Sequence, residues 1–155
     1  MQNAPSHHPF ILSFTVGIHF AAVTFLLPLL PELGAGSPWF ETAFALSHFA
    51  ALPLMGRLAD RRGTRFALTL SLAGQLFAFG LLFASQSGEV LLMARLLSGA
   101  SSAVLPVCFG ALRRHARDER ELSSGIALLM LGITLGGGLG AIVSAVSWLG
   151  AISLL

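Results

Sequence analysis

The chain has 155 residues, 55% of them hydrophobic and 10% charged, with a mean hydropathy of +0.82; that leaves too little polar surface for a soluble domain and makes a bilayer the fitting solvent. The formal charge of +2 and isoelectric point near 10.0 do not indicate a nucleic-acid partner, because the arginines flank apolar runs and form no basic face. The single cysteine, Cys108, excludes an intramolecular disulfide and leaves the redox compartment open.

A membrane helix needs roughly 20 mostly apolar residues to cross about 30 Å of hydrocarbon. Five such runs follow in chain order, with the start of a sixth. The polar segment Met1–His8 carries no Lys or Arg, and the apolar run Phe10–Leu30 is longer than the roughly 7–15 residues of a signal-peptide core, so it reads as a retained first helix. The expected spans are residues 9–30, 39–58, 66–84, 90–112 and 122–146, then 148–155 as a cut-short sixth. Helices are expected rather than barrel strands, because the runs show no period-two alternation.

The breaks have local causes. Pro31 and the stretch Gly34-Ala35-Gly36-Ser37-Pro38 end the first helix and restart the chain, and Gly63-Thr64 and Ser85-Gln86-Ser87-Gly88 supply further turns. Asp118 to Ser124 offers acidic and hydroxyl side chains suited to a helix amino terminus.

All nine cationic side chains are arginine, and eight lie in two clusters: Arg57, Arg61, Arg62 and Arg65, then Arg113, Arg114, Arg117 and Arg120. Both clusters fall in connections on one side of the membrane, whereas the opposite connections hold Glu32, Glu41 and Glu89. The positive-inside bias then places the amino terminus and both clusters in the cytoplasm.

The segment Gly56-Arg57-Leu58-Ala59-Asp60-Arg61-Arg62-Gly63-Thr64-Arg65 is ordered beyond what topology needs. Small residues at Gly56 and Ala59 suit close helix approach, and Gly63 suits a tight reversal. Asp60, the one acid among four arginines, can pair locally or face the positive end of a helix. The segment resembles the major facilitator superfamily signature G-x-L-A-D-R-x-G-R-R/K between the second and third helices, departing from it only at Thr64. The resemblance implies that the loop is a conformational latch, in which Gly56, Asp60, Arg61, Gly63 and Arg65 carry the motif and Asp60 engages the other half of the transporter. An ordinary topogenic loop accounts for the arginines alone.

Arg95 stands inside the fourth apolar run, where burial in lipid costs roughly 2.5–3.5 kcal/mol. One reading lets it snorkel outward beside Glu89. The other follows a resemblance: Arg95 and Gly99 match the R-x-x-x-G motif of the fourth helix in proton-coupled efflux members of the superfamily. This implies that Arg95 is a cavity charge concerned with proton coupling. No obvious intramembrane carboxylate stands in the five spans, so its partner is expected in the missing part of the protein, beyond the end of the chain.

Gly132, Gly136 and Gly140 recur every four residues on one helical face, a small-xxx-small packing pattern. They resemble the antiporter motif G-x-x-x-G-P-x-x-G-G, with Gly137 in place of proline and Gly140-Ala141 at the final pair. Packing alone accounts for them equally well. Pro28 and Pro31 match a P-x-x-P pattern of superfamily exporters, or simply end the first helix. His19 lies mid-span in the first helix, which lines the cavity in this fold, and is either a titrating cavity residue or a structural one. His48 carries less of this expectation, and Gln75 reads as a packing or interhelical hydrogen-bonding residue. Arg117-Asp118-Glu119-Arg120-Glu121 is similar to the family's charged fourth loop, or is a solvated charge run.

The expectation is therefore an all-α polytopic membrane protein, the amino-terminal half of a major facilitator superfamily fold, and not an enzyme. The family mechanism implies alternating access around a central site, with proton-coupled efflux of a drug-like or small metabolite solute through a cell inner membrane. Its partners would be the lipid bilayer, the solute, protons and a missing carboxy-terminal half, with no cofactor, metal or nucleic acid. A facilitator or importer of the same fold and an inactive truncated product are the alternatives. A polytopic phosphatidyltransferase needs several metal-binding carboxylates, and the relevant loop has only Asp60.

Overall fold

Apolar runs of this length satisfy their backbone polar groups within the segment, and helices result. A computed structural model of the protein describes residues 9–32, 37–84 and 87–152, with side chains as far as 147. Its helices are α1 (Pro9–Leu26, followed by a short 3-10 turn Leu27–Leu29), α2 (Pro38–Arg62), α3 (Thr64–Ala84), α4 (Gly88–Ser101), α5 (Val104–His115) and α6 (Glu119–Ile152). No strand occurs among the described residues. The expected polar start Met1–His8, the turn residues Gly34 to Gly36 and Ser85-Gln86, and the end of the chain from Ser153 lie outside them.

Four segments among the described residues are long and apolar enough to cross a membrane: Pro9–Leu29, Thr64–Ala84, Gly88–His115 and Glu119–Ser147. α2, with 25 residues, is long enough at about 37 Å. Glu41, His48, Pro53 and the charged end from Arg57 to Arg62 lower its hydropathy.

The helix ends follow local chemistry. Ser37 is extended at the start of α2, Pro38 takes the first helical position, and Glu41 sits in the first turn, where the helix dipole favours a carboxylate. Arg61 and Arg62 occupy the last turn, and Gly63 follows at φ +89°, a conformation that only glycine adopts without strain. Asp118 Oδ1 accepts the Glu121 N–H at 2.7 Å, while Glu121 Oε2 accepts the Arg117 N–H at 2.9 Å, so the acidic run caps α6 reciprocally.

Two expectations about boundaries are corrected. The fourth span, read as one helix over 90–112, is broken at Ser102-Ala103. Pro106 explains the break, since it has no N–H for the Ser102 carbonyl and its ring clashes with that carbonyl in a continuous helix. The sixth span, expected to begin near Trp148, is not separate. α6 runs unbroken to Ile152, through Gly136-Gly137-Gly138.

The chain forms two compact units, residues 1–27 with 108–155, and residues 28–107. In the first, α6 packs on α1. Gly132, Gly136 and Gly140 face the backbone of Ser13, Gly17 and Ala21 respectively, so two stripes of small residues at four-residue spacing interlock. A Cβ at Gly136 would overlap the Gly17 carbonyl, and Ser13 Oγ donates to the Leu128 carbonyl at 2.6 Å. In the second unit α4 packs against both α2 and α3, which also touch each other. Gln75 Nε2 on α3 donates to Ser98 Oγ on α4 at 2.8 Å, the second of the two roles expected of it.

Candidate functional site

The polar side chains of the second unit gather where α2 meets α4. Glu41, Phe44 and His48 follow one another at spacings of three and four on α2, while Arg95 and Gly99 on α4 and Ser102 just past its end are spaced by four and three. These spacings put each trio on one helical face, and the two faces meet rung by rung.

At the first rung Arg95 Nη2 donates to Glu41 Oε1 in an ion pair. The Arg95 side chain is 7% exposed and that of Glu41 49%. The guanidinium carbon also lies 4.8 Å from the centroid of the Phe44 ring, a cation–π contact. Arg95 therefore does not stand alone: it reaches toward the start of α2, where Glu41 lies. The expectation that its partner lies in the missing part of the protein is overturned, because Glu41, in the first turn of α2, takes that place.

At the second rung Gly99 has no side chain because there is no room for one. A Cβ there would run into the Phe44 carbonyl oxygen and Ser47 Oγ. The pairing of Arg95 with Gly99 four residues later thus has a physical reason: glycine lets α4 approach α2, and the arginine one turn earlier reaches Glu41 and Phe44.

The third rung lies at the break of the fourth span. Ser102 Oγ is 2.5 Å from His48 Nδ1 and donates to the Gly99 carbonyl at 2.8 Å. The His48 ring is nearly parallel to Phe44, with centroids 6.1 Å apart and planes 4° apart. Below it, Ser102 N–H also donates to the Gly99 carbonyl at 3.2 Å, so the broken turn keeps its polar groups engaged.

The loop motif is arranged differently. Asp60, Arg61, Gly63 and Arg65 are exposed, and Ala59 is buried. Arg62 lies over the Phe66 ring at 5.1 Å. Gly56 makes no close approach: it is exposed, and an added Cβ would meet nothing within 4 Å. Its expected role in helix contact is not seen among the described residues, since it lies on the outer face of α2.

His19 on α1 is buried, meets Phe20 edge-on at 5.7 Å, and its Nδ1 has no hydrogen-bond partner among the described residues. An apolar groove of about 310 Å³ follows the α1–α6 seam, lined by Phe10, Phe14, Ile18, Leu131, Leu135 and Leu139 among others. Cys108 is a buried free thiol. Among the described residues no three His, Cys, Asp or Glu side chains gather as a metal site would require.

A family model described as Major Facilitator Superfamily matches residues 9–153, nearly the whole chain. The chain belongs to the major facilitator superfamily. As a superfamily member with several apolar helices it is a multi-pass membrane protein. It is similar to the MFS-type transporter TwmF of Talaromyces wortmannii, 30% identical over 122 residues that cover 76% of this chain and 22% of that protein. A probable triacylglyceride transporter of Mycobacterium leprae is 36% identical over 107 residues, covering 63% of this chain and 21% of the relative. Major facilitator superfamily domain-containing protein 10 of Bos taurus is 30% identical over 170 residues, 83% of this chain and 37% of that protein. The chain thus spans well under half the length of each of these relatives. No solved structure gave a significant match.

Sequence reasoning singled out Arg95, Gly99 and Gln75, ranked His48 low, placed Glu41 in a connection and Ser102 in a packing face, and missed Phe44. The signal for Glu41 was its position: a carboxylate three residues into a helix that starts at Pro38. For Ser102 the signal was Pro106, four residues on.

Proposed function

We propose that this chain forms part of a secondary active transporter working by alternating access, which exports a drug-like or small metabolite solute in exchange for protons. The observation that carries the reading is the Arg95–Glu41 pair on the α2–α4 face, in a chain of a transporter superfamily. An ionisable pair inside membrane helices is costly to maintain, and such pairs mark solute and proton paths. In this reading Arg95 is the coupling charge and Glu41 its counter-ion. His19 is a second cavity residue. Gly56, Asp60, Arg61, Gly63 and Arg65 form the latch, with Asp60 engaging the other half of the transporter. The amino terminus and both arginine clusters face the cytoplasm of a cell inner membrane, as the positive-inside bias favours.

The mycobacterial relatives named as triacylglyceride transporters favour a second reading of the solute, as an acyl lipid. The experiment is transport by the complete protein in proteoliposomes, with tetracycline and a fluorescent triacylglyceride analogue as separate probes. Accumulation of one probe that collapses on adding an uncoupler supports the proton-coupled reading. Accumulation that ignores the uncoupler contradicts it in favour of a facilitator.

A further inference from the structure

We propose that His48 is the residue through which the α2–α4 face takes up a proton, and that Ser102 passes this event to the break in the fourth span. The proposal rests on the proton-coupled reading above and names a site for it.

The hydrogen-bond directions are constrained by chemistry. The Ser102 hydroxyl has one hydrogen, and the Gly99 carbonyl, 2.8 Å away, can only accept. With the hydroxyl hydrogen assigned to Gly99, the 2.5 Å contact with His48 Nδ1 is a bond that the ring donates, in the tautomer protonated at Nδ1. A neutral His48 thus carries its proton on Nδ1, which leaves Nε2 as the basic nitrogen. A proton from bulk water adds to that lone pair, and the ring becomes imidazolium with its Nδ1–H bond to Ser102 intact.

The charge balance of the face then changes. With His48 neutral, Glu41 and Arg95 cancel. The other charged groups on the packed helices are Glu89 on α4, Arg65 on α3, and Arg57, Asp60, Arg61 and Arg62 at the far end of α2. Arg57, the nearest of these on α2, is nine residues from His48, about 14 Å along the axis. Imidazolium at 48 places a second cation on the Phe44 ring that already carries Arg95, with Glu41 as the one carboxylate at hand. An unbalanced charge in a low-dielectric setting favours any conformation that opens the face to water. Proton uptake therefore has a different free energy in the closed and open arrangements, which is the requirement for coupling.

The α4–α5 junction is the element able to respond. Ser102 and Ala103 interrupt the helix ladder, and the His48–Ser102 bond ties that interruption to α2. A charge gained at His48 therefore bears on the junction, which should open on acidification.

The test is hydrogen exchange of residues 98–104, corrected for intrinsic rates, in the complete transporter in lipid nanodiscs from about pH 8 to about pH 5.5. Wild type should lose protection as pH falls, by up to about tenfold per pH unit, the limit for linkage to one proton. His48→Asn keeps a donor to Ser102 and cannot titrate, so its profile should be flat. Ser102→Ala leaves the ring in place and removes the link, and its profile should be flat too. A flat wild-type profile, or a wild-type profile in His48→Asn, overturns the proposal. Probe transport by wild type that ignores an uncoupler overturns the proton-coupled reading instead, and the exchange profile, which needs no solute, separates the two failures.

Discussion

Gly99 on α4 lies against the main-chain carbonyl of Phe44 on α2, and this close approach sets Arg95, one turn earlier, onto Glu41. Gly99→Ala should therefore act on the ion pair as well as on packing. The added methyl meets a backbone oxygen that cannot rotate away, so the helices must part. Overpacking of this kind costs about 1–3 kcal/mol. A lowered midpoint of thermal unfolding in detergent is the expected result.

Glu41→Gln should destabilise the protein by about 1.5–3 kcal/mol, the range for hydrogen bonds to a charged group. The cost arises because a guanidinium that is 7% exposed keeps its charge and loses its counter-ion. Adding Arg95→Met to Glu41→Gln should recover most of the loss, since the buried cation left without a counter-ion is then removed as well. Denaturation of the two singles and the double measures the coupling directly.

The α1–α6 seam allows a controlled comparison among neighbouring glycines. Gly136→Val drives a branched side chain into the Gly17 carbonyl, whereas an added Cβ at Gly138 meets nothing within 4 Å. The first change should cost about 1–3 kcal/mol or more by overpacking, and the second should lie within about 0.5 kcal/mol. Equal unfolding midpoints for the two variants would count against the interlocked stripes.

Much of this was legible in the residues. Gly132, Gly136 and Gly140 announced a packing face by spacing alone, although the matching Ser13, Gly17 and Ala21 stripe on α1 went unread because serine and alanine punctuate an apolar run weakly. The helices themselves followed from continuous hydropathy. The pairing of helices did not, because spacing shows which residues share a face and never which face it meets. Arg95 was visible as an anomaly, while Glu41, just inside the expected span 39–58, was counted with the polar connection because it lies within one turn of the helix start. The break at Ser102 was hidden in a run whose hydropathy is unbroken, and only Pro106 marked it.

Pro106→Ala should close that break. It restores an N–H for the Ser102 carbonyl and removes the ring clash, a change worth up to about 3 kcal/mol within a helix. Amide exchange at Ser102 and Ala103 should slow, and probe transport should fall if the junction has to open during the cycle.

The most direct test of the central claim, that Arg95 works as a unit with Glu41, is a double-mutant cycle on uncoupler-sensitive transport. Wild type, Glu41→Gln, Arg95→Gln and the double variant of the complete protein would be compared in proteoliposomes at matched protein density. Each single change should lower the rate by at least about tenfold, equivalent to about 1.4 kcal/mol of barrier, and the double should be no slower than the worse single, as residues acting together behave. A Glu41→Gln variant at the wild-type rate, or a double variant whose loss is the product of the two single losses, would contradict the account.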